Sequence, residues 1–134
     1  MTKKTIVNSI LIMLIAALIC ACATTQPPKP VNTDWAGEYT GTIPAADCPG
    51  IDVILTVNAD FTYELFYNYI DREHFVRYTG TFRLNETGDT IIIAKADQFY
   101  RIGENYLRQL DTDGNEITSE FADMYILRRK TNNE

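Results

Sequence analysis

Residues 35–43 read Trp35-Ala36-Gly37-Glu38-Tyr39-Thr40-Gly41-Thr42-Ile43. Trp35, Gly37, Tyr39, Gly41 and Ile43 share one parity. The period is therefore two, which marks a pleated strand and not a helix. The same alternation continues outward. Val53, Leu55 and Val57 fall on one face, as do Tyr63, Leu65, Tyr67 and Tyr69, and then Val76, Tyr78, Gly80, Phe82 and Leu84. Shorter strand candidates occupy 90–94, 99–102, 106–110 and 124–128. The eight Tyr, six Phe and one Trp all lie between Trp35 and Tyr125, a density of rings that suits pleated surfaces.

The breaks between these runs are turn chemistry: Asn58-Ala59-Asp60, Asn85-Glu86-Thr87-Gly88-Asp89, Gly103-Glu104-Asn105 and Asp111-Thr112-Asp113-Gly114-Asn115. Every connection is too short for a helical crossover, so neighbouring strands are expected to be antiparallel. Eight runs in series form a meander, and a sheet of that size lowers its edge liability by closing. The predicted fold is all-β: a small antiparallel meander closing into a barrel over residues 35–130. Gly37, Gly41 and Gly80 mark its bends. Glu116 to Asp123 has room for only a short turn.

Ahead of the barrel lies a targeting segment. Lys3 and Lys4 precede an apolar stretch from Ile6 to Ile19, shorter than the roughly 20 residues a bilayer span needs. It reads as a secretory signal over residues 1–21. Its end has the layout of a bacterial lipobox: Ile19 stands three before Cys22 and Ala21 one before. Cys22 is the expected site of lipidation and anchors the chain to the membrane. Ala23, not Asp, follows it, the pattern sorted to the outer membrane. Residues 22–34, with Pro27, Pro28 and Pro30, form a disordered, semi-extended tether.

The chain has 134 residues, so one domain is the prior. Its net charge is −6, and losing Lys3 and Lys4 with the signal makes it −8. That excludes nucleic acid as a partner class. Three Cys and one His exclude a zinc-finger type cluster. No Ser/His/Asp set or phosphate-cradling loop can be placed, so no catalytic residue is assigned and the protein reads as non-enzymatic.

Several motifs together resemble a known family. Trp35-x-Gly37-x-Tyr39-x-Gly41-Thr42-Ile43-Pro44 runs into Ala46-Asp47-Cys48-Pro49-Gly50-Ile51. Downstream stand Asp60-x-Thr62-Tyr63, Gly80-Thr81-Phe82 and Tyr100-Arg101-Ile102-Gly103, then Leu107-x-Gln109-Leu110-Asp111-x-x-Gly114-x-x-Ile117. This is similar to the N-terminal domain of the NlpE family, lipoproteins linked to copper resistance and surface sensing. The resemblance implies a lipocalin-like barrel tethered to the outer membrane. It also implies a role in copper homeostasis or envelope-stress sensing, exercised through contact with an envelope sensor protein. Two departures accompany it. The family usually has Cys where this chain has Ala45, forming a Cys-x-x-Cys pair able to close a disulfide or hold Cu(I). Copper, the one cofactor implied, is weakened by that loss. NlpE also carries a second, C-terminal domain, whereas this chain ends at Glu134.

Candidate site residues follow. Cys48, in the loop Pro44 to Gly50 beside Asp47, is a candidate redox or metal thiol. Its alternative is a buried small residue left from a lost disulfide. His74 is the sole imidazole and would join Cys48 or Met124 at copper, against the alternative of a solvated turn histidine. Tyr63, Tyr67, Tyr69 and Tyr78 are candidates to line a cavity for a small apolar ligand, against a filled core with hydroxyls at the rim. A structural envelope module is the remaining reading. Asp111-x-Asp113-Gly114-Asn115-Glu116 places its Gly too early for a calcium loop and reads as a hairpin turn. Asn85-Glu86-Thr87 fits a glycosylation pattern of no obvious use in a bacterial lipoprotein. Arg128-Arg129-Lys130 reads as a solvated tail near anionic headgroups.

Overall fold

The computed structural model describes residues 33–131. The expected signal peptide, the expected lipidation site Cys22 and most of the expected tether lie outside them. The described chain folds into nine antiparallel strands: β1 (Gly37–Ile43), β2 (Ile51–Val57), β3 (Thr62–Tyr69), β4 (His74–Thr81), β5 (Arg83–Leu84), β6 (Thr90–Ile93), β7 (Gln98–Gly103), β8 (Tyr106–Gln109) and β9 (Ile126–Arg129). Short 3-10 turns at Ala94–Ala96 and Ala122–Tyr125 are the helical content of the described residues. Hydrogen bonding runs in the order β4-β3-β2-β1-β9-β8-β7-β6-β5. Except at the β4–β5 step, each strand pairs with its sequence neighbour, and β1 also pairs with β9, so the sheet is a nearly closed barrel. The expected meander is present.

Its opening does not lie between the first and last strands. It lies between β4 and β5, which are consecutive in sequence. Residues 76–84 keep one parity, as read from the sequence, yet they are not one ladder strand. From His74 to Thr81 the chain pairs with β3. At Phe82 it leaves that ladder, its N–H donating to Phe61 O at 2.9 Å. Arg83 and Leu84 then pair with β6 on the other side. A continuous stretch thus changes partners, the corner by which a small barrel turns, and the count becomes nine instead of eight.

Inward positions fill the core: Tyr39 and Ile43 of β1; Val53, Leu55 and Val57 of β2; Tyr63 and Leu65 of β3; Ile91 and Ile93 of β6; Tyr100, Leu107 and Leu127. Burial of these aliphatic and aromatic faces is the main stabilising term. Trp35, Phe61 and Phe82 close one end, with ring centroids 5.3–5.6 Å apart. The aromatic trio includes Phe61 at φ 66°, a left-handed conformation held at the end of the Asn58–Asp60 turn. Gly41 serves close approach: a Cβ there would stand 2.7 Å from Ile126 O of β9.

The tail reading of Arg129 is corrected. Parity with Leu127 turns Arg129 inward. Its guanidinium donates to the carbonyls of Asp34 and Ala36 and lies 5.5 Å from the Tyr39 ring centroid. Hydrogen bonds to two carbonyls and a ring face hold a charge that the sequence pattern assigns to solvent.

Candidate functional site

At the end of the barrel away from Trp35, the β1–β2 loop carries the Pro44–Gly50 motif. Its Cys48 is a free, half-buried thiol, and Sγ donates to Gly50 O at 3.2 Å. The Gly50 carbonyl bends the thiol back onto its own loop. Position 45 is Ala, so the loop supplies one soft ligand. Arg72, from the β3–β4 turn, clamps the loop. Its guanidinium donates to Asp47 O and lies 3.3 Å from the Asp47 carboxylate. That turn is tight, with Asp71 and Glu73 both at positive φ.

His74 opens β4, paired with Tyr69, and is solvent-exposed. Its ring packs on Tyr69, with centroids 5.1 Å apart. Asp47, Tyr69, Arg72 and His74 together line an open pocket of about 320 Å³. Met124 is exposed on the 3-10 turn before β9. Among the described residues no group of three or more His, Cys, Asp or Glu side chains comes close enough to hold a metal ion. A copper ion finds one thiol here and no assembled ligand set, so the residues present do not fit a resident copper centre.

The tyrosines divide. Tyr63, Tyr67 and Tyr78 face the interior, and Tyr67 and Tyr78 meet edge to face at 6.3 Å. Tyr69 stands at the loop end beside His74. The interior set gains Tyr100 of β7, which the sequence reading passed over. It is fully buried, and its parity with Ile102 was the signal available. The Tyr63 hydroxyl is buried without a hydrogen-bond partner among the described residues, and the buried Tyr100 hydroxyl interacts with that of Tyr67. Burial pushes the Tyr67 phenol up and the Tyr100 phenol well above its ordinary value, with the two groups near enough to influence each other. Tyr39 is also raised by burial, against the Arg129 charge, and its hydroxyl donates to Trp35 O at 2.8 Å.

The remaining motifs are turn-building. Asp111 Oδ1 accepts from the N–H groups of Asp113 and Asn115, and Gly114 sits at φ 80°. Asn85 Oδ1 likewise accepts from Asp89 and Thr90. Both side chains are committed to their own loops.

This geometry is that of a small barrel with a clamped motif loop at one end and an aromatic seal at the other. A family model described as the NlpE N-terminal domain matches residues 39–120. The chain belongs to that family. Among curated relatives, the 17 kDa lipoprotein of Treponema pallidum (strain Nichols) is 28% identical over 85% of this chain and 86% of its own length. Lipoprotein NlpE of Escherichia coli (strain K12) is 29% identical over 69% of this chain and 39% of its own length. Of solved structures, a lipoprotein from Shewanella oneidensis superposes with a TM-score of 0.68 at 39% identity, covering 72% of this chain and 90% of that one. The Cpx pathway activator NlpE from Escherichia coli superposes with a TM-score of 0.53 at 30% identity, over 63% and 47%. The chain thus spans less than half of the NlpE protein. Its relatives are lipoproteins, which implies a membrane-anchored envelope protein.

Proposed function

We propose that this protein is an outer-membrane lipoprotein, anchored through Cys22, that reports on the envelope by contact with another protein and performs no catalysis. The observation that carries this is the family match across residues 39–120, which contains the motif loop and the barrel wall. The lipobox at Cys22 and the lipoprotein relatives support the anchoring. The activity named for the Escherichia coli relative, activation of the Cpx pathway, supports a sensing role. A part in copper homeostasis rests on Cys48 alone and takes second place, because Ala45 removes half of the thiol pair. The test is an envelope-stress reporter in cells overexpressing the chain or its Cys22→Ala form. A response that depends on Cys22 supports the reading; no response to the wild-type chain rejects it. Cu(I) titration of wild type against Ala45→Cys tests the copper part. Tight binding only after Ala45→Cys removes copper from the account.

One observation favours a second reading as a small-ligand barrel. A buried phenol without a hydrogen-bond partner among the described residues, Tyr63, faces the interior, and an unpaired buried hydroxyl is costly unless something bonds it. Mass spectra of native purified protein would reveal a retained ligand; an empty barrel rejects that reading.

A further inference from the structure

Among the described residues the sheet ends in two edge strands, the two-residue β5 and the eight-residue β4, and β4 is the long one. Register along β3 is complete over eight residue pairs, from Thr62↔Thr81 to Tyr69↔His74. Among the described residues the opposite side of β4 has no strand partner. Thr79 O shows which groups face that side, because Lys95 Nζ reaches it at 3.3 Å from across the seam. In an antiparallel strand each residue directs both its N–H and its C=O to one side, and the side alternates. The peptide groups of Phe75, Arg77, Thr79 and Thr81 therefore face the opening. Their side chains point away from the core: Phe75 is 67% exposed, and Val76 and Tyr78 turn inward.

We propose that the open edge of β4, from Phe75 to Thr81, docks an extended, acidic segment of another protein, which adds to the barrel as one more strand. Its meaning in the cell rests on the contact-sensing reading above; the edge itself does not.

Three features select this occupant. First, a row of unpaired peptide groups is matched by another backbone and not by a lipid or an apolar ligand. Second, the seam is cationic in a protein of net charge −6. Arg77 stands on β4, Arg83 on β5 and Lys95 on the 3-10 turn facing Thr79. Among the described residues Glu64, 3.7 Å from Arg77, is the acid paired with this set. Carboxylates on the incoming strand would complete it. Third, Phe75 stacks on Phe66 at 5.8 Å with its outer face open, a platform for an apolar side chain beside the acidic ones.

A second copy of the chain fits poorly. Two β4 edges meeting about a two-fold axis keep their outward faces on one side, so outward residues must pair with outward residues. The symmetric registers centred on Arg77 or Tyr78, which overlap most of the edge, then place Arg77 opposite Arg77, or diagonal to it across Thr79. Like charges at those positions oppose pairing. The tie that must yield is a single exposed lysine. An incoming amide N–H would replace its ammonium at Thr79 O.

The test uses the full-length chain in nonionic detergent, with backbone amides followed by NMR. The probe is an eight-residue peptide alternating Glu and Val. Controls are the same length alternating Lys and Val, and the Glu/Val peptide methylated on alternate amides. Binding should shift and protect the amides of Phe75, Arg77, Thr79 and Thr81. The Lys/Val peptide and the Arg77→Glu variant should each weaken it at least about tenfold, and amide methylation should abolish it. No binding at about 1 mM peptide overturns the proposal, as does equal binding of the Lys/Val peptide. Self-association that protects the same four amides assigns the edge to a second copy and also overturns it. Peptide binding with an Arg77→Glu variant that still drives the stress reporter leaves the edge standing and separates it from the sensing reading.

Discussion

The barrel has two joins, and they are built oppositely. At one, β1 meets β9, strands almost a whole domain apart in sequence. There Tyr39 pairs with Arg129 and Thr40 with Arg128, and Lys130 N–H donates to Glu38 O at 2.8 Å. Gly41 lets the two backbones come close, and Arg129 ties the strand to the chain entering at Asp34. At the other, β4 and β5 are covalently continuous and are not paired at all. A join between distant segments carries the entropy of closing a long loop and must be held by contacts. A join between consecutive residues is already held by the chain. Closure is therefore tightest where the sequence is most distant, and slack where the chain itself does the holding.

The largest test of that contrast is Phe82→Ala. Phe82 is 6% exposed and forms the corner with Trp35 and Phe61. We expect a loss of about 3 kcal/mol in chemical denaturation. A loss near zero would mean that the corner is not held by its ring packing. Next, Gly41→Ala puts a methyl 2.7 Å from Ile126 O. About 2 kcal/mol should be lost, and a neutral result would deny that the β1–β9 join needs close approach.

The third test uses pH. Tyr67 of the first half and Tyr100 of the second meet in the interior, both with raised phenol pKa. The unfolded phenols ionise near pH 10, whereas the folded ones stay neutral beyond it. The stability they contribute is thus complete below pH 10 and is lost as pH rises toward the folded values, by up to about 1.4 kcal/mol per pH unit for each group. Denaturation midpoints measured from pH 8 to 11 should fall above pH 10, and Tyr100→Phe should flatten the fall. An unchanged slope would mean that the phenol does not couple the halves. The smallest effect is Lys130→Ala. Its 2.9 Å pair with Glu38 is exposed, so less than about 0.5 kcal/mol should be lost, and still less at high salt.

Much of this fold was legible because parity was. The faces of residues 53–57, 63–69 and 76–84 were readable from alternation, and each holds in the barrel. Alternation reports which way a side chain points and not which strand lies beside it, so the change of partner at Phe82 showed only as a bend expected at Gly80. Arg129 was missed for a related reason. Its inward parity with Leu127 was present, but three successive basic residues outweighed it, and only the carbonyls of Asp34 and Ala36, more than ninety positions away, make an inward guanidinium favourable. The site was less legible than the fold. Cys48 and His74 were singled out by chemistry, but the contacts that position them, Gly50 O and the Tyr69 ring, are matters of loop shape. Arg72, which clamps the motif loop, has no signature in sequence beyond being a turn cation.

One consequence of the β1 pairing is mechanical. The chain enters at Asp34 and Trp35 and passes directly into β1, a strand hydrogen-bonded on both sides, to β2 along all seven residues and to β9 at Tyr39 and Thr40. A pull transmitted from the preceding residues acts along that strand. It loads the bonds to its neighbours in parallel, as a shear, and does not open them one after another. The same pull meets Arg129, whose guanidinium grips the Asp34 and Ala36 carbonyls at the point of entry. The fold thus puts its strongest fastening where tension would arrive and leaves its unfastened edge three strands away, out of the line of force.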